Sequence, residues 1–138
     1  MAKDKIHKAV KEALEKEGWQ ITHDPYTLKI GRRRGFVDLG AEKEIIAADR
    51  GLDKIAVEIK SFVGQSDLDD FEDALGQFII YLNALEEAEP DRQLFLALPM
   101  RFYNDFFDEP FFVKLSQRYG LRFIIFDVNN SIIEQWIR

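Results

Sequence analysis

The chain has 138 residues, 46% hydrophobic and 32% charged, with no cysteine and a formal net charge of −6. This is the length of one domain spanning 1–138, with enough apolar residues for a core, which excludes wholesale disorder. Without cysteine there is no disulfide framework, zinc–thiolate site or cysteine nucleophile, and with neither a membrane-length apolar run nor a signal-peptide h-region the expectation is a soluble, cytoplasmic protein.

In chain order, Ile6, Val10, Ala13 and Leu14 recur at three- and four-residue spacing, which predicts a helix from Lys3 to Glu17. Gly18 follows at the left-handed stop position. Trp19–His23 alternates apolar and polar as a half-buried strand does, and Asp24-Pro25 turns the chain. Residues 27–60 lack helical periodicity and read as strands around Gly35–Gly40, Ile45–Asp49 and Lys54–Ser61, with Arg50-Gly51 as a tight turn. A helical turn over Ala41–Ala48 is the alternative.

Ser66 with Asp69 resembles a capping box. A long helix to Glu87 follows, with Leu68, Phe71, Leu75, Phe78, Ile79, Leu82 and Leu85 on its apolar face and acidic residues in its first turns. Gln93–Met100 is a short buried strand, and Phe102–Tyr119 is helical, restarting at Pro110. Leu121–Val128 is a second buried strand, Asn129-Asn130 turns it, and Ile132–Ile137 pairs back as an edge strand. The order α-β-β-β-β-α-β-α-β-β specifies an α/β or α+β domain with a central mixed sheet flanked by helices.

Three features bear on chemistry. In Glu58-Ile59-Lys60 the two-residue period of a strand places Glu58 and Lys60 on one face, and Val57, Ile59 and Ser61 on the other. Charged groups on an interior strand are costly unless paired or bound to an ion. An ordinary salt bridge is the alternative. Asp38 sits in the apolar context Phe36-Val37-Asp38-Leu39, where aspartate is disfavoured. On a strand beside Glu58 it would complete a two-carboxylate site for a hard cation such as Mg²⁺; a turn aspartate is the alternative. Gln77 and Tyr81, four apart, share a helix face beside the apolar stripe.

The order Asp, acid-x-Lys on a following strand, then Gln-x₃-Tyr on the next helix resembles the PD-(D/E)XK, or restriction-endonuclease-like, superfamily, and its Gln-x₃-Tyr element the RecB-like branch. That resemblance implies a three-layer fold. It implies Asp38 and Glu58 as ligands of Mg²⁺ or Mn²⁺, Lys60 as the residue orienting water, and Gln77 and Tyr81 as positioning residues. No proline precedes Asp38. The helix-one glutamate common in the superfamily falls on His7, an accessory residue for metal or phosphate or a plain exposed histidine.

Over the whole chain, His7-Lys8-Ala9-Val10-Lys11, Gly18-Trp19-Gln20-Ile21-Thr22-His23-Asp24-Pro25, Ala41-Glu42-Lys43, Val57-Glu58-Ile59-Lys60-Ser61-Phe62, Ala74-Leu75-Gly76-Gln77 and Gln135-Trp136-Ile137 resemble the XisH family of fdxN-element excision controlling factors of cyanobacteria. The resemblance implies a role in site-specific excision of a DNA element during heterocyst development. Its implied partners are DNA, an XisI-like protein and a site-specific recombinase. It leaves two readings: a metal-dependent endonuclease, or an inactive DNA- or protein-binding accessory factor.

Charge is unevenly spread. Residues 1–60 carry 13 Lys/Arg against 11 Asp/Glu, and residues 61–138 carry 6 against 14. Bulk charge therefore does not favour nucleic acid. Arg32, Arg33 and Arg34, the basic triplet just ahead of Asp38, are the DNA-binding candidates, with a solvated loop as the alternative. The phenylalanines from Phe102 to Phe112 read as core, with a subunit contact as a further expectation.

Overall fold

The computed structural model describes residues 2–45 and 51–138. The elements run α1 (Ala2–Lys16), β1 (Gln20–His23), β2 (Tyr26–Ile30), β3 (Arg33–Val37), β4 (Leu39–Glu44), β5 (Leu52–Ile59), α2 (Asp67–Ala88), β6 (Arg92–Pro99), α3 (Met100–Phe106), α4 (Pro110–Arg118), β7 (Phe123–Asp127) and β8 (Ile132–Ile137). Six strands form a mixed sheet in the order β1-β4-β5-β6-β7-β8, with β5, β6 and β7 parallel and the flanking pairs antiparallel. The β2–β3 hairpin is a separate two-stranded sheet.

Strand alternation sorts the core into two layers. Ala56, Leu94, Leu96, Leu98, Phe123 and Ile125 face α2, α3, α4 and the hairpin. Ile55, Val57, Phe95, Ala97, Ile124 and Phe126 face α1 through Val10 and Leu14. The central strands are therefore apolar on both faces, as parallel strands covered by helices must be. The three-layer α/β arrangement is the expected one. Among the described residues no helix is long and apolar enough to cross a membrane.

Local signals act where the sequence places them. Gly18 ends α1 with φ +90°, a conformation costly for any residue with a Cβ. The Ser66 hydroxyl accepts the Asp69 amide at 3.2 Å and starts α2. Pro110 opens α4.

Four differences stand out. Tyr26–Ile30 is a strand not foreseen separately, and it pairs with β3 through Thr27–Phe36 and Lys29–Arg34. The expected strand Gly35–Gly40 divides at Asp38, because β3 belongs to the hairpin and β4 to the main sheet. Residues 41–44 are strand, not a helical turn, while most of the expected strand Ile45–Asp49 and Arg50 of the expected turn lie outside the described residues. On α2, Leu68 and Ile79 are exposed, and the buried stripe is Phe71, Ala74, Phe78 and Leu85. Ile79 is one residue, roughly 100° of helix, past Phe78 and so turns off the sheet.

The Phe-rich stretch builds the α2-side core: Phe102 and Phe106 are buried, Phe107 and Phe112 pack against them, and Phe111 points outward.

Candidate functional site

The end of β5 carries Glu58, and Lys60 follows one residue beyond the strand. Register places Leu39 opposite Val57, so Asp38 enters the sheet beside Glu58. Two hydrogen bonds lock the pair. The Asp38 amide donates to Glu58 Oε1 at 3.2 Å, and the Ile59 amide donates to Asp38 Oδ2 at 2.8 Å. Lys60 Nζ lies 3.5 Å from Glu58 Oε2, and its own amide bonds the Ala97 carbonyl at 3.0 Å. Glu58 and Lys60 share the α2-side face with Ala56, as strand alternation requires.

Glu58 is 7% exposed. Burial first, and the Asp38 carboxylate second, push its carboxyl up to about 7, against the pull of the Lys60 ammonium.

The group opens into a cleft of about 620 Å³, lined by Asp38, Glu58, Lys60 and Gln77 together with Lys3, Asp4, Ile6 and His7 of α1. It lies at the carboxyl end of β5 between helices of both outer layers, the usual place for a ligand in an open α/β sheet. Gln77 donates to the Tyr81 hydroxyl at 3.0 Å, while Gln77 Oε1 is buried without a partner. A Cβ at Gly35 would lie 3.6 Å from Tyr81 Cε1, so the Tyr81 ring sits beneath the hairpin.

The sequence candidates therefore fall into three groups. Asp38, Glu58, Lys60 and Gln77 meet in one cleft, with Tyr81 behind Gln77. His7 lines the same cleft, but its Nε2 is bonded to Asp24 Oδ1 at 2.8 Å, and Lys11 holds the other oxygen of Asp24 at 2.8 Å. Arg32, Arg33 and Arg34 stand exposed at the tip and along β3, away from the cleft floor.

Two hard-oxygen carboxylates fit Mg²⁺ or Mn²⁺, which keep several waters and need only one or two protein carboxylates. The elevated Glu58 carboxyl and the unpartnered Gln77 Oε1 agree with a site that accepts positive charge. Among the described residues no group of three His, Asp or Glu side chains gathers to hold a metal, so an ion held by these two carboxylates would take its remaining ligands from water or substrate oxygen.

Sequence reading missed several neighbours. Lys3 and Asp4 reach the cleft from the first turn of α1, where nothing in their spacing marks them. Phe62, two residues past Lys60, has φ +52° and stacks on Phe102 at 3.6 Å between centroids. Outside the cleft, at the opposite end of β5 and β6, Arg92 is buried and grips Glu89 (2.7 Å), Glu42 (3.1 Å) and the Ile55 carbonyl (2.9 Å). A lone arginine at a strand start carries no sequence signal for such burial.

The family model described as XisH protein matches residues 1–134. The chain is similar to the crystal structure of an XisH family protein from Nostoc punctiforme PCC 73102, with 40% identity and a TM-score of 0.86 over 98% of this chain and 100% of that one. It is also similar to a fdxN element excision controlling factor protein from Anabaena variabilis, with 41% identity and a TM-score of 0.86 over 98% and 99%. No curated protein matches the chain.

Proposed function

The chain belongs to the XisH family, and from that premise we propose that it acts in excision of a DNA element as a metal-dependent endonuclease. The observation that carries this reading is the locked Asp38–Glu58 carboxyl pair with Lys60 in one cleft. Burial and the neighbouring Asp38 carboxylate raise the Glu58 carboxyl to about 7, a perturbation of the kind that clusters at functional sites.

Asp38 and Glu58 would hold Mg²⁺ or Mn²⁺. A bound ion of this kind supplies an activated water and neutralises phosphoryl charge. The Asp38–Ile59 hydrogen bond fixes the Asp38 carboxylate and so frees its second oxygen for ligation. The Lys60 ammonium stands beside Glu58, where it offsets negative charge growing on a phosphodiester. Gln77, whose amide donates to the Tyr81 hydroxyl, lines the cleft and would position water or substrate there.

The test is calorimetric titration of Mn²⁺ into the protein and into Asp38→Ala, followed by cleavage assays with Lys60→Ala. Saturable binding lost in Asp38→Ala, and cleavage lost in a folded Lys60→Ala, are expected. Cleavage by Lys60→Ala at the wild-type rate overturns the reading.

A second reading, a binding platform that acts with a recombinase and an XisI-like partner, is favoured by one observation. His7 occupies the helix-one acidic position and is engaged by Asp24, so that position adds no carboxylate, and the acidic residue α1 brings to the cleft is Asp4. Copurification with a cationic partner and no Mn²⁺ binding supports it. A homo-oligomer is compatible with either reading.

A further inference from the structure

The β2–β3 hairpin has two unlike faces. Tyr26, Leu28 and Val37 are buried in the α2-side core. The opposite face carries the cross-strand pairs Lys29–Arg34 and Thr27–Phe36, all exposed, with Phe36 52% exposed. Arg32 and Arg33 extend the positive charge around the tip. Among the described residues none of Lys29, Arg32, Arg33 and Arg34 joins an ion pair. On a chain of net charge −6 this is a concentrated cationic strip.

The hairpin leads by chain into the site. Phe36 stands two residues before Asp38 and Arg34 four, within about 7 Å and 13 Å of extended chain. A cationic track with an aromatic ring beside it is the arrangement that holds unpaired nucleic acid: cations follow the phosphates and the ring takes a base face. Paired bases keep those faces inside the duplex stack, so a duplex must be unstacked at a cost before Phe36 can reach them, whereas an unpaired base offers its face freely.

We infer that the outer face of the β2–β3 hairpin binds single-stranded DNA, with Lys29, Arg32 and Arg34 on phosphates and Phe36 stacked on an unpaired base next to the Asp38–Glu58 cleft. This rests on reading the cleft as a phosphodiester site and narrows its substrate to DNA with unpaired bases there, such as a fork or a strand opened during excision.

Fluorescence anisotropy in metal-free buffer tests it with labelled single-stranded, forked and blunt duplex oligonucleotides of one length. The single strand and the fork are expected to bind more tightly than the duplex. Phe36→Ala should weaken single-strand binding about tenfold and leave duplex binding unchanged, and Phe36→Tyr should restore it. The K29A/R32A/R34A variant should lower the slope of log affinity against log salt by about 2 on single strands. Equal or tighter duplex binding, or no effect of Phe36→Ala on single strands, overturns the inference. So does binding of poly-glutamate with no DNA bound, which makes the strip a contact for an acidic protein. The binding pattern without cleavage supports the hairpin's role and removes the nuclease reading. Cleavage of single-stranded or forked DNA by Phe36→Ala at the wild-type rate removes the hairpin's role alone.

Discussion

Glu58 ties the chemistry of the cleft to the stability of the fold. Its carboxyl is pushed up to about 7 in the folded chain, against an ordinary value near 4.5 in the unfolded one. The folded state therefore holds the extra proton between those values, and stability falls as pH rises from about 4.5 to about 7. Glu58→Gln removes this dependence. Urea denaturation should show the variant gaining about 1–3 kcal/mol relative to the parent between pH 5 and pH 8. An unchanged difference across that range would mean Glu58 is not held neutral. Asp38 and Glu58 were legible as residues because charge in an apolar strand context is costly enough to stand out. Their hydrogen bonds were not, because the Asp38–Ile59 contact depends on the register of β4 against β5. Asp24, partner of both His7 and Lys11, was legible only as a turn residue.

At the level of elements, the segment leaving β5 is pinned to α3 by a single ring stack. Phe62 adopts φ +52°, a left-handed conformation unusual for a bulky residue, and its ring stacks on Phe102. The turn swings the chain away just after Lys60. Phe62→Gly and Phe62→Ala both lose the stack, but only alanine retains a Cβ in the left-handed region. Phe62→Gly should therefore be the more stable by about 1 kcal/mol in urea, the reverse of the usual order. Alanine as the more stable of the two would show that the backbone there is not held left-handed. The helices were read nearly to their ends because a 3.6-residue apolar period, the Ser66 cap and Pro110 are local signals. Strand β2 was not read separately. Its alternation over Tyr26–Ile30 runs straight into a basic turn, and the residues that bury it, on α2, lie far along the chain.

For the whole molecule, the first and last elements close on one another. Trp136 of β8 packs on Trp19 at 5.7 Å and edge-on to Phe95 at 5.2 Å, and its indole donates to Glu17 at 2.9 Å. Lys16 reaches the Asn130 carbonyl at 2.8 Å. Because the two tryptophans are neighbours, intrinsic fluorescence reports this closure. Trp136→Ala should cost about 2–4 kcal/mol. Equilibrium denaturation followed by both far-UV circular dichroism and Trp19 fluorescence should give one coincident transition. Separate transitions would mean that α1 docks independently of the sheet.

The sequence by itself determined the helices, the buried parallel strands, the α/β class and the family resemblance, because periodicity, caps and motif order are properties of neighbouring residues. Tertiary structure alone decided which charges meet. It split the expected strand at Asp38 between two sheets, buried Arg92 against Glu89 and Glu42, engaged His7 with Asp24, and set Phe36 and Arg34 outward on the hairpin. Each of those outcomes depends on strand register and on desolvation by distant elements. Neither quantity is carried by a local stretch of chain.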